Sequence, residues 1–259
     1  MFDTHCHLND KVFKENLENV VLKARGSGIN YILVPGIDVE SSRVALEIAR
    51  RFPYVFASCG IHPTCLDGDI DQALVFFTNI ISENKLVAIG EIGLDYFHAT
   101  DRQKQKEYLL KQINFAQENS LPVILHNRDS TADLLMLLNS IWDVKSKSTA
   151  VLHCCEPNSK LLKFALSNNI FIGVDGDVTF DKTKQNFIKS VPLDNLVLET
   201  DSPYLTPLPV KRIASFPNKP QNLIHIAEVV AKLIGETVEK TVSETTKNGL
   251  RLFNLNSSV

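Results

Sequence analysis

The sequence predicts an α/β fold of the (β/α)8 TIM-barrel class, in one domain spanning residues 1–259. Three observations predict it. Eight short, apolar, β-rich runs recur along the chain, and stretches with helical spacing fill the gaps between them. The length of 259 residues also matches the roughly 250 residues typical of an eight-stranded α/β barrel.

The runs are Met1–His5, Tyr31–Pro35, Val55–Gly60, Leu86–Glu91, Pro122–His126, Ala150–His153, Ile170–Val174 and Asn195–Thr200. Each is rich in Val, Ile, Leu or Phe. Near-continuous apolar runs of this kind suit strands buried on both faces of a parallel sheet. Between them, Leu109, Ile113 and Ala116 recur at i, i+4, i+7, Leu161, Leu162 and Ala165 cluster on one side, and Leu223, Ile226, Ala227, Val230 and Ile234 line one face. Helices with one apolar face pack on the sheet and expose the other face. A doubly wound open sheet is the alternative arrangement. The longest irregular segment, Ser202–Pro220, is Pro-rich; loops of that length inside a compact domain are usually functional or mobile.

Composition narrows the function. Lys and Arg total 27 and Asp and Glu 30, a net charge of −3, which argues against extended binding along duplex DNA, where a basic face is the rule. It leaves open an enzyme that grips a strand end, because metals supply local positive charge. The five cysteines, at 6, 59, 65, 154 and 155, form no C-x-x-C pair. An odd, unpatterned set predicts free thiols and a reducing, cytoplasmic setting. Neither a secretion signal nor an apolar run of about 18 residues occurs, so no membrane role is expected. A monomer or weak oligomer is expected.

The position of the polar residues carries the chemistry. His5, His7, His62, His126 and His153 lie at or just beyond predicted strand ends, Glu91 ends the fourth strand, and Asp201 follows the eighth. In a barrel the C-terminal strand ends meet at one face, where active sites lie. His5 and His7 flank Cys6, and alternation along a strand points both imidazoles the same way. Two neutral imidazoles on one face can chelate a metal such as zinc; taken alone, they could equally be hydrogen-bonded strand residues. A carboxylate such as Glu91 is costly to bury unless paired or metal-bound, and it can bridge two cations. An aspartate such as Asp201 can ligate a metal and accept a proton from its water. Glu199 is expected to support a ligand rather than act as a base. His62 suits a substrate oxygen better than a metal, and Arg128 either meets an anionic substrate or forms a surface ion pair. The cysteines are assigned to packing, and His98 and His225 to surface or packing positions.

These segments resemble the TatD family of metal-dependent deoxyribonucleases, within the amidohydrolase-like TIM-barrel superfamily. The resemblance rests on Asp3-Thr4-His5-Cys6-His7-Leu8, Gly60-Ile61-His62-Pro63, Ile89-Gly90-Glu91-Ile92-Gly93-Leu94-Asp95, Leu125-His126-Asn127-Arg128, His153-Cys154 and Leu198-Glu199-Thr200-Asp201-Ser202-Pro203-Tyr204-Leu205. It implies two divalent metal ions per chain (Zn, Mg or Mn), one held by His5, His7 and Asp201, the other by His126 and His153, with Glu91 bridging. It further implies Asp201 and Glu91 as catalytic groups, a water attacking phosphorus, and His62 binding phosphate. The expected activity is hydrolysis of ester bonds, with DNA, single-stranded or at strand ends, as substrate. A hydrolase of the same superfamily acting on another ester or an amide, as in aminoacyl-tRNA editing, is the alternative, and a non-catalytic metal-binding barrel is a third reading. The chain departs from the family pattern at Cys155-Glu156-Pro157, at Asp175-Gly176-Asp177 and at Pro217-Asn218-Lys219-Pro220. The first two changes are expected to bring Glu156, Asp175 and Asp177 toward the mouth, where bare carboxylates repel a polyanion.

Overall fold

The computed structural model of the protein describes residues 1–98, 101–142 and 148–256. Eight parallel strands form one sheet in sequence order: β1 (Phe2–Asp3), β2 (Tyr31–Val34), β3 (Val55–Cys59), β4 (Leu86–Asp95), β5 (Val123–Arg128), β6 (Ala150–Leu152), β7 (Ile170–Val174) and β8 (Leu196–Leu198). The sheet curls into a nearly closed barrel. The seam between β8 and β1 carries no full ladder; it is spanned by Thr4 N–H donating to Leu198 O (3.1 Å), Asp201 N–H to His5 O (2.9 Å) and His7 N–H to Ser202 O (2.7 Å).

Helices α1 (Leu17–Gly26), α2 (Val39–Arg51), α3 (Ile70–Ile80), α4 (Arg102–Glu118), α5 (Thr131–Ile141), α6 (Ser159–Ser167), α7 (Lys182–Ile188) and α8 (Leu223–Ile234) surround the sheet, and α9 (Val238–Leu252) follows. Several of their starts carry a side-chain cap. Asp38 accepts from Ser41 N–H, Asp101 from Lys104 N–H and Asn158 from Lys160 and Leu161 N–H, satisfying donors that the first helical turn leaves free. The apolar spacing read from the sequence is the buried face: Leu109, Ile113, Ala116, Leu161, Ala165, Ile226 and Val230 are all at most 1 % exposed.

Two strand ends differ from the sequence reading. β4 does not stop at Glu91 but continues to Asp95, pairing Gly93 with His126 and Asp95 with Arg128 after a register shift between Ile89 and Ile92. Its glycines hid the extension, since glycine weakens a strand pattern. Gly93 is required there: a Cβ would sit 2.0 Å from His126 O. β1, by contrast, leaves the ladder after Asp3, and only an isolated bridge from Cys6 to Ser202 continues it. The segment Ser202–Pro220 is not wholly irregular either. It holds 3-10 turns at Val210–Arg212 and from Pro220, and Asn218 Nδ2 fixes it by donating to Thr200 O (2.9 Å).

Alternation along the strands divides the barrel interior into two layers. The lower layer is apolar, with Phe2, Leu33, Phe56, Ile124, Val151, Phe171 and Val197 packed on Leu250, Leu252 and Phe253, the last three at the C-terminal end of α9. Phe2 and Phe253 stack obliquely, 5.6 Å between centroids. Two positions further, on β3, β5 and β7 or one residue past β6 and β8, stand Ser58, His126, Gly173, His153 and Glu199, which by the two-residue period face the same way. A hydrophobic floor therefore carries a polar upper layer that opens at the C-terminal rim. No helix among the described residues is long and apolar enough to cross a membrane, and the five cysteines are free.

Candidate metal centre

The structure brings His5, His7, His62, Glu91, His126, His153 and Asp201 together above that floor. Glu91, 4 % exposed, lies at the centre, and its two oxygens face different groups. Oε2 is 3.3 Å from His5 Nε2 and 3.8 Å from His7 Nε2. Oε1 is 2.9 Å from His126 Nδ1, 3.5 Å from His62 Nε2 and 3.9 Å from His153 Nε2. Asp201 Oδ1 lies 3.3 Å from His7 Nε2, 3.8 Å from His153 Nε2 and 3.9 Å from His5 Nε2. Its φ of 50° places it in the left-handed region, as Cys154 is at 44°. Side-chain-bearing residues there are sparsely populated and tend to occur at functional sites.

Several contacts make poor sense as hydrogen bonds and good sense as shared ligation. His5 Nε2 and His7 Nε2 face each other at 3.1 Å, and the rings of His5 and His153 stack at 3.5 Å. Such crowding of imidazole nitrogens around carboxylates is relieved by a cation between them. His5-His7-Asp201 and His62-Glu91-His126 each present three donor atoms within 4.8 Å of one another. The nitrogen–oxygen donor set therefore fits divalent metal, and the split of Glu91 between two groups fits a shared carboxylate.

Acids lie against the far nitrogens of two histidines. His153 Nδ1 is 3.1 Å from Glu199 Oε1, the supporting role read for Glu199 in the sequence. Gly173 on β7 leaves the room: a Cβ would come within 2.4 Å of Glu199 Oε1. His126 Nε2 lies 3.1 Å from Asp95 Oδ2, and the same oxygen is 2.9 Å from His98 Nδ1. His98 thus has a convergent partner, contrary to the sequence reading, and Asp95 is a residue that reading missed as a site group. The signal was present: Glu91, Gly93 and Asp95 stand at i, i+2 and i+4, one face of a strand.

Electrostatics follow from this packing. Burial, aided by His153, lowers the pKa of His5 to about 4, so its ring is neutral. Burial also opposes charge on His126, but hydrogen bonds to Asp95 and Glu91 overcome it and raise the pKa to about 9. Against the same cost, Glu199, Glu91 and Asp201 raise His153 to about 10. Glu91 is held well below the carboxylate range: burial would raise it, and the surrounding histidines outweigh that. Asp3, wholly buried where β1 meets the chain after β8, is raised to about 8 by burial, although Thr200 donates to both its oxygens at 2.9 and 2.7 Å.

Arg128 is exposed at the end of β5, its guanidinium 5.3 Å from the centroid of Phe97. Cys154 lies closer to the site than a packing role suggests, with Sγ within 4.8 Å of donors on His153 and Asp201. Burial and nearby carboxylates keep that thiol protonated. Glu156 and Asp177 do reach the rim, beside Arg128 and Cys154 around a cavity of about 350 Å³. Asp175 is not a bare carboxylate: it pairs with buried Lys184, because a single buried charge would be too costly. The expected repulsion is thereby reduced.

Residues 2–254 match the family described as TatD related DNase. The chain is 33 % identical over 259 residues to the uncharacterised metal-dependent hydrolase YabD of Bacillus subtilis, covering 99 % of this chain and all of that one. It is 33 % identical over 261 residues to the 3′-5′ ssDNA/RNA exonuclease TatD of Erwinia tasmaniensis, covering 98 % of this chain and all of that one. The crystal structure of YjjV, a TatD homologue from Escherichia coli, superposes with a TM-score of 0.90 at 28 % identity, covering 99 % and 98 % of the two chains. The chain belongs to the TatD family of metal-dependent hydrolases.

Proposed function

We propose that this protein hydrolyses phosphodiester bonds of single-stranded nucleic acid, using two divalent ions held at the barrel mouth. His5, His7 and Asp201 would hold one ion, His126 and His153 the other, and Glu91 would be shared. The observation that carries this reading is Glu91 itself, whose two oxygens face two separate groups of imidazoles. A relative named as an ssDNA/RNA exonuclease, matched over its whole length, supports the substrate class.

Bound divalent ions would supply Lewis-acid neutralisation of phosphoryl charge and lower the pKa of water toward about 7. The chain's own groups do the rest. Asp201, facing His7 and reaching the rim, accepts the proton released by the attacking water. Glu199 and Asp95 fix the rings of His153 and His126 through their far nitrogens, so that Nε2 of the first and Nδ1 of the second point inward. His62, held by Thr64 Oγ1 2.7 Å from its Nδ1, directs Nε2 toward the cluster, where it binds a phosphoryl oxygen. Arg128 at the rim meets the next phosphate. The free thiols suit a reducing, cytoplasmic setting, and residues 1–259 act as one catalytic unit.

Metal content and substrate range test the proposal together. Protein stripped by chelator and reloaded with Mn2+, Zn2+ or Mg2+ is expected to bind two ions per chain and degrade single-stranded DNA, and His126→Ala to lose both the second ion and the activity. Turnover confined to carboxylic esters or amides, or one ion in fully active protein, would overturn it.

A further inference from the structure

Among the described residues four aromatic side chains are exposed: Phe97 (63 %), Phe216 (54 %), Tyr204 (49 %) and Phe180 (37 %). All four lie on loops after the C-terminal ends of strands, Phe97 after β4, Phe180 after β7, and Tyr204 and Phe216 after β8. The outer helices expose aliphatic residues instead, such as Leu22, Val75 and Met136. Large exposed rings confined to the active-site end of a barrel are not explained by packing.

One of the rings meets the cluster directly, and two carry a cation. Tyr204 meets His7 edge-on at 6.1 Å between centroids and has Phe216 beside it at 6.3 Å. On the opposite flank, Phe97 is followed by His98, which Asp95 links to His126. Arg128 lies over Phe97 at 5.3 Å and Lys211 over Phe180 at 3.9 Å. We propose that these rings are base-stacking platforms: Tyr204–Phe216 and Phe97–Arg128 hold unpaired bases on either side of the scissile phosphate, and Phe180–Lys211 extends the track. Exposed rings with a cation beside two of them suit an unpaired strand, whose bases stack on rings and whose phosphates attract cations. An interface for another protein would favour a continuous apolar patch with a polar margin. Stacking tolerates any base, so cleavage would show little sequence preference, and duplex DNA, whose bases are already stacked, would bind poorly.

This inference rests on the phosphodiesterase reading, and the test separates the two. The affinity of fluorescein-labelled dT12, and of the same strand with two abasic residues near its 3′ end, is measured by anisotropy for wild type, Phe97→Ala, Tyr204→Ala and Phe216→Ala. Turnover of bis(p-nitrophenyl) phosphate by the Mn2+-loaded proteins is measured in parallel. Each stack lost is expected to weaken dT12 binding about 5- to 10-fold. In wild type, the two abasic residues should carry the penalty of both lost stacks; in a variant lacking one ring they should add a smaller penalty, that of the stack that remains, and turnover of the small diester should be unchanged. Equal penalties in wild type and every variant, or equal binding of both strands by wild type, would overturn the stacking assignment. So would a wild-type dimer, seen by sedimentation, that the variants dissociate. Failure of the loaded wild type to cleave the small diester would count against the phosphodiesterase reading instead.

Discussion

The two ends of the barrel are built from the same strands and do opposite work. At the lower end, Leu33, Phe56, Ile124, Val151, Phe171 and Val197 meet Leu250, Leu252 and Phe253, and the contacts are apolar throughout. Two residues further along the strands, imidazoles and carboxylates crowd together, and Asp201 and Cys154 adopt left-handed backbone. The lower end gains stability from burial. The upper end is held by pairing of imidazoles with carboxylates that outweighs their desolvation, while its backbone is kept in rare conformations at Asp201 and Cys154. The lesson is a division of labour along each strand, in which an apolar layer below supports a charged one above.

The largest effect expected at the upper end is on chemistry. Glu91→Gln should reduce metal-dependent turnover by about 10³-fold or more, since the groups on both sides lose their shared carboxylate. Steady-state kinetics at saturating metal checks this, and circular dichroism should show a folded protein, less stable than wild type when metal-free because the imidazoles around Glu91 lose the charge they pair with. The mirror experiment is Phe253→Ala below the floor. It should cost about 3–5 kcal/mol in denaturant unfolding and leave kcat/KM unchanged at temperatures where the variant is folded. A proportionate loss of activity would mean that the ends are coupled.

A smaller effect sharpens the comparison within the upper layer. Asp95→Asn and Glu199→Gln should each weaken metal binding about 10- to 100-fold, as for outer groups that orient a ligating histidine. Competition with a chromophoric chelator measures this. An effect of Asp95→Asn confined to stability would remove it from the site.

The smallest effect concerns protons. His126 and His153 have pKa values raised to about 9 and about 10, above the ordinary value near 6.5, so both are charged at pH 7 in metal-free protein. Their raised values stabilise the metal-free fold fully below about pH 6.5, and that contribution fades as pH climbs through 9 to 10. Ligation needs the neutral rings, so metal uptake at pH 7 should release up to two protons, and affinity should rise with pH. Calorimetry in buffers of differing ionisation enthalpy reads the release directly. Heats independent of the buffer would show that these two rings do not exchange protons for metal.

Much of this was legible before any coordinates. The eight apolar runs became eight strands, and the histidines and acids placed at their ends did converge. What escaped the sequence did so for identifiable reasons. Asp95 shares a face with Glu91, but Gly90 and Gly93 break the apolar run of β4, so that run alone marks the strand's end at Glu91. The neutralisation of Asp175 by Lys184 was hidden because the partner stands nine residues away on α7, and only its packing beneath the rim shows that it is buried.

By itself the sequence determined the periodicities: two-residue alternation and helical spacing are properties of a chain and a solvent, and they specify which side of each element is buried. It also determined which residue types stand at strand ends. Only the tertiary structure decided which of those groups share an atom. That Glu91 turns one oxygen to His5 and the other to His126, while Glu199 and Asp95 face the far sides of two rings, depends on strand register, on the curl of the sheet and on gaps left by Gly93 and Gly173. These are distances of a few ångströms between residues up to 197 positions apart, as Asp3 and Thr200 are, and no local pattern carries them.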